Sequence, residues 1–306
     1  MKENSVVVLA PAKINLALAV NDIRADGYHS LETVFQSVSL FDRVEITLQG
    51  GGISCLCGEL SGEKNLAYQA AGLFLDEYKT RTSGAIPGVE IKIEKHIPLQ
   101  AGLAGGSSDA AAVLIGLNRL LSNPFSYEHL VGLAKQCGSD TAFCLLGGTA
   151  WGEGTGSELQ ELPPAPEMDI ILVKPEQGVS TADAYRLFDK RAEFSKLNQQ
   201  RWVSVLSAAR IDTIGRMLSN DLENIVFDLV PKISVLKRLL LEGGCLGALM
   251  SGSGSTMFGI VKDYSQGEKM RKVLAEKGYH QTWLVKTIGS RNINLEKRSD
   301  FWWKDV

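Results

Sequence analysis

Residues Gly102-Leu103-Ala104-Gly105-Gly106-Ser107-Ser108 are rich in glycine and serine, and the stretch after them, Asp109 to Leu121, is apolar nearly all round at helical spacing. Before them, Val89 to Glu94 alternates apolar and charged residues, the pattern of a strand with one wet face. A glycine loop between a strand and a buried helix is the setting that a phosphate site needs. Glycine admits positive φ and close ligand approach. Such a loop aims several N–H groups inward, and the following helix adds its unpaired N-terminal amides. Ser107 and Ser108 add hydroxyls suited to phosphate oxygens or a magnesium ion. No lysine follows the glycines, so this is not a Walker A loop, and its spacing is not that of a dinucleotide fingerprint. A phosphate-transferring enzyme built this way needs a lysine from elsewhere, and Lys13 is a candidate.

The chain has 306 residues, which favours two domains. Clustered prolines at Pro163, Pro164 and Pro166 mark the best linker, dividing residues 1–162 from 163–306. Lys13 to Val20 alternates with period two, which places Lys13 and Asn15 on one face of a strand. Arg24 to His29 reads as a turn hinged at Asp26-Gly27. Helices are expected at Asn65 to Tyr78, Tyr127 to Cys137, Thr181 to Arg191, Arg201 to Ala209, Ile233 to Glu242 and Gln266 to Lys277. Strands at Asp169 to Val173, Thr256 to Val261 and Thr282 to Thr287 make the second half a small α+β unit.

Lysine and arginine number 32 against 35 acidic residues, so no basic excess is present to neutralise a nucleic-acid backbone. No apolar run reaches the roughly 20 residues that span a bilayer. Five scattered cysteines fit a reducing, cytoplasmic compartment better than a disulfide framework, and Cys55-x-Cys57 lacks a second ligand pair for a metal. His96, His129 and His280 show no partner pattern and read as surface residues. A polar tail after Arg291 carries Phe301-Trp302-Trp303, expected to pack back on the body.

Three segments together resemble the motifs of the GHMP kinases: Pro11 to Leu16, Gly102 to Ala111, and Gly252-Ser253-Gly254-Ser255-Thr256. Within that family, Arg24 to His29 resembles the signature of the members that phosphorylate a cytidine-diphosphate-linked alcohol. Gly138 to Phe143 and Gly147 to Ala150 look like its continuation. The resemblance runs from about Leu9 to Gly259. It implies an α+β, two-domain fold: an N-terminal domain like ribosomal protein S5, a ferredoxin-like C-terminal domain, and a site between them. It implies ATP and Mg2+, with ATP held by Asn65 and by Pro98, Leu99, Gln100, Ala101 and the loop through Ser108. Ala104 stands where many members have glycine, which is tolerable if φ is negative there.

The resemblance makes Asp140 the group that accepts or orients the hydroxyl proton, paired with Lys13. It also implies a cytidine pocket, with Tyr28 stacking on the base, His29 bonding its edge, Tyr185 covering the other face, and Phe35, Asn15 and Thr181 nearby. Asp140 can also cap a helix after Gly138-Ser139, a role that can coexist with catalysis, and Phe35 reads about equally well as a core residue. Neighbouring readings are a kinase of the same family acting on mevalonate, homoserine or a sugar, and a silent ligand sensor. Partners are a small cytidine diphosphate substrate, with no nucleic acid and no membrane, in a monomer or homodimer.

Overall fold

The computed structural model describes residues 4–25, 27, 29–82, 86–191 and 194–290. Tyr28 and the Phe301-Trp302-Trp303 segment lie outside the described residues. The chain builds two sheets. The first half runs β1 (Ser5–Ile23), β2 (His29–Gln49), β3 (Ile53–Leu56), α1 (Leu66–Arg81), β4 (Gly88–Glu94), α2 (Gly105–Leu120), α3 (Tyr127–Cys137), α4 (Thr141–Leu146), β5 (Thr149–Gly154) and β6 (Glu158–Glu161). The second half runs β7 (Asp169–Val173), α5 (Thr181–Arg191), α6 (Gln199–Ser207), α7 (Ile211–Met217), β8 (Ser219–Asn220), α8 (Glu223–Leu229), α9 (Pro231–Glu242), β9 (Gly247–Met250), β10 (Met257–Ile260), α10 (Tyr264–Glu276) and β11 (Thr282–Lys286).

β1 and β2 form one long antiparallel hairpin, broken by register shifts at Pro11/Ala12, Asn15/Ala17 and Val20/Asp22. The first shift falls at Pro11, which has no N–H for a ladder. The shifts explain why the period-two pattern covers only part of this strand: each one resets which side chains share a face. β2 pairs β4 through its second half and β5 through its first, and β8 adds two parallel residues to β1.

Helices α1 to α4 cover one face. The core there is Val44, Ile46, Phe74, Ile91 and the alanine-rich flank of α2. Small residues at Ala110, Ala111 and Ala112 let α2 sit close to its neighbours, and all three are fully buried. Cys55, on the edge strand β3, and Cys57 pack into this core too, and all five cysteines are buried and outside any disulfide. Burial pushes the Cys55 thiol up to about 11.

The second sheet is antiparallel, in the order β11-β7-β10-β9. Strand, helices, two strands, helix, strand in this order is the ferredoxin-like arrangement, with α9 and α10 on the sheet. The prolines at 163–166 lie between β6 and β7, but they are pinned: the amide of Ala165 donates to Thr149 Oγ1, and Thr287 Oγ1 donates to the carbonyl of Pro166. A second core holds residues from both halves, among them Ile14, Leu16, Val38, Trp151, Ile170, Trp202 and Phe258.

Candidate active site

Lys13 is set by β1. Its side chain is 4% exposed beneath the site, and its Nζ donates to Asn15 Oδ1 at 2.7 Å. Asn15 is fixed in turn: its Nδ2 donates to Thr33 Oγ1, and that hydroxyl donates to the carbonyl of Ala17. A buried ammonium needs such partners. Asp140 Oδ2 stands 3.5 Å from Lys13 Nζ, so the expected pair is in contact. Asp140 occupies the N-cap position of α4, yet its side chain makes no cap bond, which leaves the carboxylate for the site.

The glycine loop is strapped on both sides. The amide of Lys13 donates to the carbonyl of Leu103, Ser251 Oγ donates to that of Gly102, and the amide of Thr256 donates to that of Ala101. At Gly102, φ is +72°, and a Cβ there would run into the carbonyl oxygen of Ser251. Gly252 brings the third loop against Lys13: a Cβ on it would stand 3.3 Å from Nζ and 3.4 Å from Asn15 Oδ1. So the three separate motifs meet around one ammonium.

Helix α2 begins at Gly105, earlier than its apolar pattern suggests, because two glycines and two serines form its first turn. The N-terminal amides of this turn have no helical partner and face the loop. Ala104, the N-cap, has φ +56°, so the expectation of negative φ there is corrected. Alanine bears the left-handed conformation that a glycine would accept without cost. Ser108 also departs from expectation. It is fully buried, its Oγ donates to the carbonyl of Pro11 and its amide to that of Ala104, so it ties α2 to β1 with its hydroxyl proton already engaged. Ser107 is half-buried, and its hydroxyl has no hydrogen bond among the described residues.

Of the remaining residues expected at ATP, Gln100 has φ +49° and Leu99 is 52% exposed beside Pro98 at the loop's entrance. Asn65 caps α1: its Oδ1 accepts the amide of Ala67 and its Nδ2 donates to the carbonyl of Leu60.

The pocket expected for a base is partly assembled. His29 stacks on Tyr185 with ring centroids 4.7 Å apart, and Phe188 meets it edge-on. Burial, and then the charge of Asp140, push the Tyr185 hydroxyl up. Thr181 Oγ1 lies 2.8 Å from Ser253 Oγ, which joins α5 to the third loop. Phe35 is corrected: it is 2% exposed, stacked on Phe143 at 4.7 Å, and its contact with the site is through Lys13 Nζ, 5.7 Å from its ring centroid. His129 is likewise not a bare surface residue, since it stacks on Phe125 and pairs with Glu77.

Three features escaped the sequence reading. Asp189 Oδ1 stands 2.6 Å from His29 Nε2. It lies one helical turn beyond Tyr185, and that i, i+4 spacing was the available signal. Asn220 Nδ2 donates to the carbonyls of Met250 and Gly252, which anchors the third loop to the first sheet. Under α2, Lys95 bonds both Asp42 and Asp109. Asp109 is 2% exposed and its Oδ1 has no partner among the described residues. Burial, only partly offset by Lys95, raises the Asp109 carboxyl above its usual range.

Comparison with known proteins agrees with this geometry. Residues 65–148 match the GHMP kinases N terminal domain, and 203–280 the GHMP kinases C terminal domain. A 4-diphosphocytidyl-2-C-methyl-D-erythritol kinase of Desulfitobacterium hafniense (strain Y51) is 49% identical over 294 residues, 96% of this chain and 99% of that protein. The Pelotomaculum thermopropionicum protein of the same name is 42% identical, over 88% of this chain and 93% of its own. A crystal structure of 4-(cytidine 5'-diphospho)-2C-methyl-D-erythritol kinase superposes with a TM-score of 0.80 at 33% identity, covering 92% of this chain and 99% of that one. A homoserine kinase structure at 22% identity and a TM-score of 0.73 shares the fold. With three motifs gathered on Lys13 and relatives matched along nearly their whole length, the chain belongs to the 4-diphosphocytidyl-2-C-methyl-D-erythritol kinases of the GHMP kinase family.

Proposed function

We propose that this protein transfers the γ-phosphate of ATP to the 2-hydroxyl of 4-diphosphocytidyl-2-C-methyl-D-erythritol, a step toward isoprenoid precursors. The observation that carries the reading is the Lys13–Asp140 pair, 3.5 Å apart beside a glycine loop at a helix N-terminus. Phosphoryl transfer asks for positioning and charge neutralisation more than for covalent chemistry. The loop Gly102–Ser107 and the first amides of α2 cradle the phosphates, with Pro98 to Ala101 and Asn65 toward the nucleoside. Asp140 accepts the hydroxyl proton as the oxygen attacks the γ-phosphorus. The bond from that phosphorus to the β–γ bridging oxygen breaks, and ADP leaves. Lys13 stabilises the charge around the transferring group, and Asn15 keeps its ammonium in place.

Magnesium retains several waters and takes few protein ligands, so no all-protein cage is required. Two hydroxyls fit it, neither with a hydrogen bond among the described residues: that of Ser107 and that of the nearby, buried Thr141. Ser107 would hold the ion, which supplies neutralisation of phosphate charge. Tyr28, His29 and Tyr185 take the cytosine, with Thr181 at its margin. Free buried thiols fit a cytoplasmic enzyme.

The test is ATP consumption by the purified chain with the cytidine compound beside mevalonate, homoserine and galactose. Turnover confined to the cytidine compound is expected. Turnover on another alcohol would overturn the pocket assignment, and none on any would favour a silent sensor.

A further inference from the structure

We propose that Asp189 is a specificity-determining positioning residue: it takes the hydrogen bond of His29 Nε2–H, so that Nδ1 is left to meet the base as an acceptor and selects cytosine over uracil. This rests on the base-pocket reading given above.

His29 has little freedom. Its side chain is 9% exposed, stacked on Tyr185 at 4.7 Å with an interplanar angle of 25° and met edge-on by Phe188 at 6.2 Å. A ring clamped on a face and an edge does not choose its hydrogen bonds by turning, so the position of its proton decides what it offers. Asp189 Oδ1 stands 2.6 Å from Nε2. An ionised carboxylate only accepts, so the shared proton sits on Nε2. With that proton on Nε2, the lone pair of an uncharged imidazole is on Nδ1, which has no hydrogen-bond partner among the described residues. Second partners of this kind commonly fix a histidine's tautomer and orientation.

The two pyrimidines differ where an acceptor tells them apart. Cytosine presents an exocyclic amine, a donor, at the position where uracil presents a carbonyl oxygen. An Nδ1 acceptor therefore pairs with cytosine and faces uracil acceptor to acceptor. Rejection by an unpaired polar group is stronger than rejection by shape. Without the carboxylate, the clamped ring is free to adopt the Nδ1–H tautomer, which tolerates the carbonyl. Asp189 is 39% exposed on α5 and makes no other ion pair among the described residues, so removing it leaves the core untouched.

The experiment compares the full chain with Asp189→Leu and Asp189→Asn, using the cytidine substrate and its uridine counterpart. Leucine removes the acceptor at similar volume, while asparagine keeps an acceptor oxygen. For Asp189→Leu, KM for the cytidine substrate is expected to rise about 10-fold with kcat within about twofold, the loss of roughly one net hydrogen bond. The cytidine-to-uridine ratio of kcat/KM should fall by about the same factor, and Asp189→Asn should restore most of it. A ratio unchanged in Asp189→Leu, a loss confined to kcat, or an Asp189→Asn as indiscriminate as the leucine variant overturns the role of Asp189. Calorimetric titration of the wild-type chain with CMP and UMP separates the two ideas. No preference there overturns the pocket reading itself, whereas a preference that survives in Asp189→Leu overturns only the Asp189 proposal.

Discussion

Lys13 sits 4% exposed with one carboxamide and one carboxylate for company, so its ammonium is compensated by few groups. Removing Asp140 takes away the proposed proton acceptor and half of that compensation. Asp140→Ala is expected to lower kcat by about 10³-fold, in the usual range for a general base, while ATP binding measured by calorimetry persists. Near-normal turnover would remove Asp140 from the chemistry. Asp109 poses a different question, since it takes no part in transfer. Two carboxylates share one ammonium there, and burial favours keeping a proton on Asp109. Its folded-state pKa lies above the unfolded carboxylate value of about 3.9. The native state therefore binds the extra proton, and this group's stabilisation is full below that value and declines as pH rises toward the folded value. Asp109→Asn should flatten the fall in denaturant-midpoint stability between pH 4 and 8. An unaltered slope would show that Asp109 is ionised when folded. Lys13 and Asp140 were legible in sequence because they stand inside short motifs. Asp189 was not, because its partner His29 is 160 residues away and only the fold brings them together.

The glycine loop is an element held from outside rather than by its own bonds. Carbonyls of Ala101 and Gly102 accept from Thr256 and Ser251 of the third loop, and that of Leu103 from Lys13 on β1. Gly102→Ala would set a methyl against the carbonyl of Ser251 at φ +72°, and the cost is the loop's position. KM for ATP should rise at least about 10-fold, and thermal melting should show a loss of about 1–3 kcal/mol. Wild-type KM in that variant would mean that the strap is dispensable. Most long elements could be read from the chain, since α3 and α5 keep a clean pattern from end to end. The start of α2 could not, because Gly105 and Gly106 are poor helix formers whose place is decided by packing. The full length of β1 was hidden for another reason: its register shifts interrupt the alternation on which a strand is recognised.

At the scale of the molecule, the two halves share a core. The proline run suggested a boundary, yet the second core takes Ile14 and Trp151 from one side of it and Ile170, Trp202 and Phe258 from the other. β8 returns to β1 with only two residues, too short a strand to be seen in any pattern. From β8, Asn220 holds the carbonyls of Met250 and Gly252. A fragment ending at residue 162 is expected to lack cooperative unfolding and to bind a hydrophobic dye, because its share of that core would face water. A sharp melting transition for the fragment would show that the halves fold alone. The two register shifts that flank Lys13, one with its extra residues on β2 and the other on β1, carry a final consequence. Ala12 to Asn15 run opposite Val38 to Phe35 in one unbroken frame, closed at either end by a register shift. Lengthening the chain beyond those shifts adds to slack already present, whereas one residue gained or lost inside the frame turns Lys13 to the opposite side of the sheet. Evolution can therefore edit the length of this hairpin at its ends but not across those four residues, and a series of single-residue insertions walked along β1 should find activity lost only there.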